Sequence, residues 1–271
     1  MTTILFTFIV SAVVALILGF LLGFFKKVFH VEVDPTVAKI RACLPGGNCG
    51  GCGYPGCDGF AAACAAGNAP ANGCTAGGVA TAKAIAEILG VEANAVQKVA
   101  VLACQGTCDK ALAKGAYTGV KSCAGAKLAI NGTKFCSWGC IGYGDCVAVC
   151  KFDAIKLGED GLPHIDKEKC TGCGICTKAC PQKILSTIPA DTKGAFVGCS
   201  NKNPNKTQIL KLCKTGCIKC GKCERNCSQQ AIKLENGVPV VDYTKCNSCG
   251  ECVAGCPTKV LVLQQGILQT K

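Results

Sequence analysis

Two stretches of this chain carry cysteines at a spacing that very few folds can satisfy: CTGCGICTKACP from Cys170 and CNSCGECVAGCP from Cys246, each reading C-x-x-C-x-x-C-x-x-x-C-P. Three thiols delivered by one tight loop, with a fourth just beyond it, cannot be buried as ordinary hydrophobes. The loop has to wrap around something that thiolates bind. Zinc knuckles have no use for the third and fourth cysteine of such a run, whereas [4Fe-4S] clusters need both. A disulfide scaffold is the remaining alternative. The odd total of 27 Cys, the overlapping C-x-x-C units and the absence of an evident cleavable signal argue against it.

An internal repeat organises the second half. CSWGCIGYGDCVAVC at residues 136–150 aligns without gaps on CKTGCIKCGKCERNC at residues 213–227. The stretches that follow, FDAIKLGEDGLPHIDKEKC and QQAIKLENGVPVVDYTKC, match as well and lead into the two C-P runs. Two ferredoxin-like modules in tandem are expected, each with a small hairpin at AIKL and short cluster-bearing helices. In two-cluster modules the last cysteine of each run ligates the other cluster. The second module then holds one cluster on Cys217, Cys220, Cys223 and Cys256, and another on Cys246, Cys249, Cys252 and Cys227. The first holds one on Cys170, Cys173, Cys176 and Cys150. Its partner has Cys140, Cys146 and Cys180, but Tyr143 stands where the repeat has Cys220, and Cys136 is the expected substitute.

Upstream, LPGGNCGGCGYPGC and the later Cys74 offer Cys49, Cys52, Cys57 and Cys74 as a further set, with glycines that let the backbone wrap closely. Cys43 and Cys64 are left over, either as buried thiols or as ligands. Cys104, Cys108 and Cys123 form a set lacking one ligand, for which Cys199 is a candidate and Cys213 and Cys136 compete. Six sets of four would use 24 of the 27 cysteines, so about six [4Fe-4S] clusters are expected. Between these motifs, the Ala-rich residues 79–103 show apolar positions at helical spacing broken by Gly90, which predicts two short helices.

The chain opens differently. Residues 4–25, ILFTFIVSAVVALILGFLLGFF, carry no charge and match the hydrocarbon core of a bilayer as a helix. Lys26 and Lys27 follow directly, which places the remainder on the cytoplasmic side by the positive-inside tendency. That side is also reducing, as thiolates and low-potential clusters require. The expected class is α+β: a membrane anchor (1–30), an α-rich cluster module (31–78) and a cysteine-containing helical linker (79–130). Two ferredoxin-like modules (131–190 and 213–271) follow, joined by a polar linker (191–212) that contains SNKNPNK. A formal net charge of +12 would ordinarily suggest nucleic acid. A [4Fe-4S] core with four thiolates carries about minus two when oxidised, so about six of them offset the excess and no nucleic-acid partner is expected.

With these motifs in view, the chain resembles the B subunit of the Rnf electron transport complex in its clostridial-type, cysteine-rich form. The N-terminal helix, LPGGNCGGCGYPGC with Cys74, and the ferredoxin repeats ending in C-P carry the resemblance. It implies a non-catalytic subunit of an ion-translocating ferredoxin:NAD oxidoreductase, passing electrons between soluble ferredoxin and the membrane subunits. Module order then suggests that electrons enter at the distal modules and leave through the cluster of Cys49, Cys52, Cys57 and Cys74. An electron-feeding subunit of another membrane redox enzyme is disfavoured by the N-terminal module, and a corrinoid-activating protein by the missing barrel domain. Gly51, Gly53 and Gly56 spell G-x-G-x-x-G, but no strand precedes them and Cys52 and Pro55 lie inside, so no dinucleotide site is read there. His30 and His164 are read as structural.

Overall fold

The computed structural model describes residues 2–28, 34–92 and 94–264; His30 and the juncture at 31–33 lie outside them. Helix α1 (Thr2–Val28) is apolar, and its membrane-length segment Ile4–Phe25 is wholly exposed to its surroundings. Side chains such as Leu16 and Phe20, three-quarters exposed, are what a lipid-facing helix presents.

Helices α2 (Pro35–Cys43), α3 (Cys57–Ala65) and α4 (Gly78–Leu89) form the N-terminal module. Helix α2 starts where chemistry allows: Asp34 accepts from the Thr36 amide at 2.7 Å, and Pro35 takes the first turn, where its missing N–H is harmless. Helix α4 ends on Gly90 in the left-handed conformation. Ile40, Phe60 and Ile85 are buried among alanines and cysteines, a small core that Tyr54 extends by an edge contact on Phe60.

The second helix expected within 79–103 does not form. Residues Lys98–Leu102 are instead strand β1. Their β-branched Val99 and Val101 suit a pleated surface better than a helix, and the partner, β4 (Leu185–Pro189), comes from far along the chain. Between them lie α5 (Cys123–Ile130), α6 (Asp145–Ala148), the hairpin β2–β3 (Ile155–Leu157 with Pro163–Ile165) and α7 (Ile175–Ala179).

The repeat recurs in three dimensions and is longer than the cysteine pattern indicates. Residues 191–212, expected as a polar linker, contain β5 (Ala195–Val197) and α8 (Lys206–Leu212). Beyond them come α9 (Lys222–Arg225), the hairpin β6–β7 (Ile232–Glu235 with Val238–Val241), α10 (Glu251–Ala254) and β8 (Leu261–Leu263). Strand β5 pairs antiparallel with β8, as β1 pairs with β4. Each repeat is thus closed by a strand that enters before its first cysteine. The hairpins expected from AIKL are both present.

Candidate iron-sulfur relay

The cores of the two repeats are themselves part sulfur. Cys146, Cys170 and Cys176 are buried with Val99, Ile155 and Leu185, and Cys217 and Cys252 with Ile232, Val260 and Leu261. All 27 cysteines are unpaired thiols.

Four small voids are each lined by four cysteines: Cys49, Cys52, Cys57 and Cys74, Cys217, Cys220, Cys223 and Cys256, Cys227, Cys246, Cys249 and Cys252, and Cys123, Cys140, Cys146 and Cys180. In a fifth quartet, Cys150, Cys170 and Cys173 lie close enough to Cys176 for their like charge to raise its thiol. Among the described residues no group of His, Cys, Asp and Glu closes tightly enough to hold a single metal ion. A structural zinc site needs sulfurs about 2.3 Å from one centre, and these quartets do not converge on one; four thiols around a void instead fit the corners of a polynuclear core.

The loops add a second sign of fit. In the C-x-x-C-G-x-C segments, and in the first repeat's CIGYGDC, where Tyr143 replaces the second cysteine, two positions adopt the left-handed conformation: Gly142 and Gly144, Gly172 and Gly174, Lys219 and Gly221, Ser248 and Gly250. Alternating backbone hand turns successive N–H groups into a concave, anion-binding nest. Non-glycine residues in that region cost roughly 1–2 kcal/mol each, so Lys219 and Ser248 are held there by the loop they complete. Amides also reach sulfur directly, Ala100 N–H donating to Cys170 Sγ at 3.4 Å and Ala231 N–H to Cys227 Sγ at 3.3 Å.

Burial pushes the thiols of Cys140 and Cys176 up to about 12, and those of Cys146, Cys136 and Cys199 up to about 11, with neighbouring thiolates adding to the effect. Unligated, they stay protonated at neutral pH. Iron therefore has to displace protons as it binds, and its binding energy becomes folding energy.

Several sequence expectations change here. Cys136 does not fill the place of the missing Cys220 equivalent. Cys123, the first residue of α5, does so, because Asp145 accepts from its amide at 2.8 Å and from that of Ala124 at 2.9 Å, fixing the helix start over the void. Cys136 lies instead beside Cys104, Cys199 and Cys213. Cys108 joins no quartet: its amide donates to the Asp160 carbonyl at 3.0 Å, and its thiol is exposed. Cys64 is 1 % exposed, its thiol donating to the Pro70 carbonyl at 3.8 Å, and Cys43 packs against the same core. His164 pairs with Asp160 at 3.0 Å. Residues not singled out from sequence are Asp145, the buried Asn201 and Lys134, and Gln182, which clamps the Ser137 and Gly139 carbonyls at 2.9 Å each. A buried lysine and asparagine amid thiols carry no motif; only their burial marks them.

The quartets follow one another. A Cβ built on Gly51 would lie 2.9 Å from the Cys173 carbonyl oxygen, so the N-terminal loop touches the Cys170 loop backbone to backbone. Cys146 acts on Cys176 within the first repeat. Cys140 N–H donates to Cys104 Sγ, and Cys217 N–H to Cys199 Sγ, both at 3.4 Å.

Thiol quartets nested in two-cluster loops, strung one after another behind an apolar helix, define a membrane-associated iron-sulfur electron-transfer protein that carries [4Fe-4S] clusters. Comparison with known proteins agrees. An Fe-S cluster family profile matches residues 44–76, and the 4Fe-4S dicluster domain matches residues 139–184 and 216–260. The chain is 47% identical over 220 residues to the B subunit of the Na(+)-translocating ferredoxin:NAD(+) oxidoreductase complex of Acetobacterium woodii, covering 81% of this chain and 66% of that one. It is 40% identical over 244 residues to the B subunit of the proton-translocating ferredoxin:NAD(+) oxidoreductase complex of Clostridium ljungdahlii, covering 89% and 85%. Identity to the B subunit of the ion-translocating oxidoreductase complex of Methanosarcina acetivorans is 37% over 220 residues, covering 81% and 83%. The chain belongs to this family, the B subunits of the multi-subunit ion-translocating Rnf oxidoreductases.

Proposed function

We propose that this subunit takes electrons from reduced ferredoxin and hands them to the membrane subunits of an ion-translocating ferredoxin:NAD oxidoreductase. The contiguous line of thiol quartets is the observation that supports this most directly. Five [4Fe-4S] clusters are held, in spatial order, by Cys49/Cys52/Cys57/Cys74, Cys150/Cys170/Cys173/Cys176, Cys123/Cys140/Cys146/Cys180, Cys217/Cys220/Cys223/Cys256 and Cys227/Cys246/Cys249/Cys252. When bound, each supplies a one-electron redox couple.

The protein's own part is positioning. Left-handed loop residues aim amides at the cores, burial excludes water from thiols such as those of Cys140, Cys146, Cys176 and Cys217, and Asp145 orients Cys123. The quartet of Cys227, Cys246, Cys249 and Cys252 lies at the far end of the line, with Cys249 exposed. It is the ferredoxin-facing end. The N-terminal quartet, nearest in sequence to α1, faces the membrane partners. The cluster domains lie on the cytoplasmic side, where Lys26, Lys27 and the redox compartment favour them.

Cys52→Ala tests the reading. With the other clusters assembled, ferredoxin should still reduce the distal sites while transfer to membrane partners stops. Loss of reduction by ferredoxin itself, with distal clusters intact, would reverse the proposed direction. Protease added to sealed vesicles should spare the cluster domains from the outer face, and their digestion there would overturn the orientation.

A further inference from the structure

The structure assigns a sixth [4Fe-4S] site, on Cys104, Cys136, Cys199 and Cys213, which bridges the two repeats and is the link through which electrons pass between them. This rests on the proposed relay, in which thiol quartets hold cubes.

Each repeat contributes two ligands in equivalent places. Cys104 and Cys199 follow the closing strands β1 and β5 and face each other as an antiparallel bridge pair. Cys136 and Cys213 are the aligned first cysteines of the two repeats. A Cβ built on Gly106 would lie 3.6 Å from both Cys104 Sγ and Cys213 Sγ, so sulfurs from opposite halves flank one backbone point. Asn201, 3 % exposed, donates from its amide to Cys199 Sγ at 3.5 Å and from Nδ2 to Cys136 Sγ at 3.6 Å, again spanning the halves. Gly106 N–H donates to Cys104 Sγ at 3.4 Å.

A second observation concerns charge. Lys134 is 7 % exposed, and its Nζ donates at 2.6 Å to the carbonyl of Gly106, whose amide donates to Cys104 Sγ. Its ammonium acts on Cys140, a ligand of the flanking site, and on Asp160. It stands at the junction of the two sites, and a buried ammonium there suits anionic cubes on either side.

The place of the site explains its role. Cys104 Sγ accepts from Cys140 N–H and Cys199 Sγ from Cys217 N–H. Cys140 and Cys217 are ligands of the flanking sites in the first and second repeats. Each hop moves one electron, oxidising the site it leaves by one unit and reducing the next by one, with ferredoxin as the reductant and no bond made or broken. Buried positive charge and hydrogen bonds to sulfur raise a cluster's potential.

The test uses the full-length protein, reconstituted anaerobically. Cys213→Ala and, from the other half, Cys136→Ala should each lose about one sixth of the iron and sulfide. The EPR signals of the remaining clusters should persist, but ferredoxin should no longer reduce the N-terminal cluster. Cys108→Ala should keep its full iron. Asn201→Leu, which leaves every ligand in place and removes the Nδ2 hydrogen bond to Cys136 Sγ, should move one EPR-detected midpoint to a more negative value and leave the others unmoved. Wild-type iron in both ligand variants, loss of a cube in Cys108→Ala, or an unchanged titration in Asn201→Leu would each overturn the assignment. If a ligand variant fails to fold, the Asn201→Leu titration decides. Absence of any cluster signal from the wild-type protein would instead bring down the relay reading itself.

Discussion

The contact between the N-terminal loop and the Cys170 loop can be tested with a single methyl group. In Gly51→Ala the new Cβ would stand 2.9 Å from the Cys173 carbonyl oxygen and 3.3 Å from its Cβ. Relieving the first contact requires the two loops to separate by about 0.5 Å, and overpacking of this kind costs about 1–3 kcal/mol. Two further contacts join the loops: Lys151 Nζ donates to the Asn48 carbonyl at 3.3 Å, and the Phe152 ring lies against Gly47. The variant should therefore relieve the clash by undocking, and the docked fraction should fall by about 5–150-fold relative to undocked. Iron content should match wild type. Hydrogen exchange should rise at residues 47–51 and 151–152, and freeze-quench EPR should show slower reduction of the N-terminal cluster after ferredoxin is added. Gly47→Ala is the control, since its Cβ would meet only Phe152, at 3.9 Å. If Gly51→Ala transfers electrons as fast as wild type, or Gly47→Ala is equally slowed, the loops are not the contact that carries electrons.

Three further outcomes follow from the same geometry. Cys108, exposed and outside every quartet, should react with one equivalent of a maleimide in the loaded protein without loss of iron, and a resistant thiol would place it among the ligands. Stripping iron with chelator under mild acid should abolish the cooperative thermal transition of residues 98–264, because their cores are built around ligand cysteines; a circular dichroism melt unchanged from the loaded protein would contradict this. Cys64→Ala removes a thiol that is 1 % exposed, and should cost about 1 kcal/mol in denaturant unfolding while leaving iron content untouched.

What could be read from sequence was the chemistry that repeats locally. A C-x-x-C-x-x-C run has one physical use whatever surrounds it, and AIKL before a glycine turn is a hairpin by its own alternation. Partners brought from elsewhere were less legible. Val99 and Val101 sit in Ala-rich sequence at spacings that also suit a helix, and only β4, a whole repeat further along the chain, makes them a strand. Cys199, beside polar SNKNPNK, is a candidate fourth ligand from sequence, but the strand that places it shows only where β5 pairs with β8. Lys134 and Asn201 are ordinary residues made consequential by burial. Tertiary placement, not local pattern, decides such positions.

The exchange between Cys123 and Tyr143 shows how one repeat departs from its twin without losing its site. Tyr143 stands where the second repeat has Cys220, and Asp145 where it has Lys222. Between Cys104 and Cys136 the first repeat carries an insertion that includes α5, far longer than the segment from Cys199 to Cys213. Asp145 caps α5 and holds Cys123 over the void, while Tyr143 turns away to pack on Tyr117, ring centroids 5.9 Å apart. The three changes are one compensated replacement: a ligand lost from the loop, a helix supplied from outside, and a carboxylate that docks it. Cys123→Ala should then lose about one cube in six. Adding Tyr143→Cys should restore it, since Gly142 and Gly144 already give the loop the left-handed turns of the second repeat. The double variant forfeits the tyrosine pair, about 0.5–1.5 kcal/mol, and should melt slightly earlier while regaining iron, sulfide and the missing EPR component. Full iron in Cys123→Ala alone would refute Cys123 as a ligand. Failure of the double variant to recover the cube would refute the equivalence of Tyr143 and Cys220.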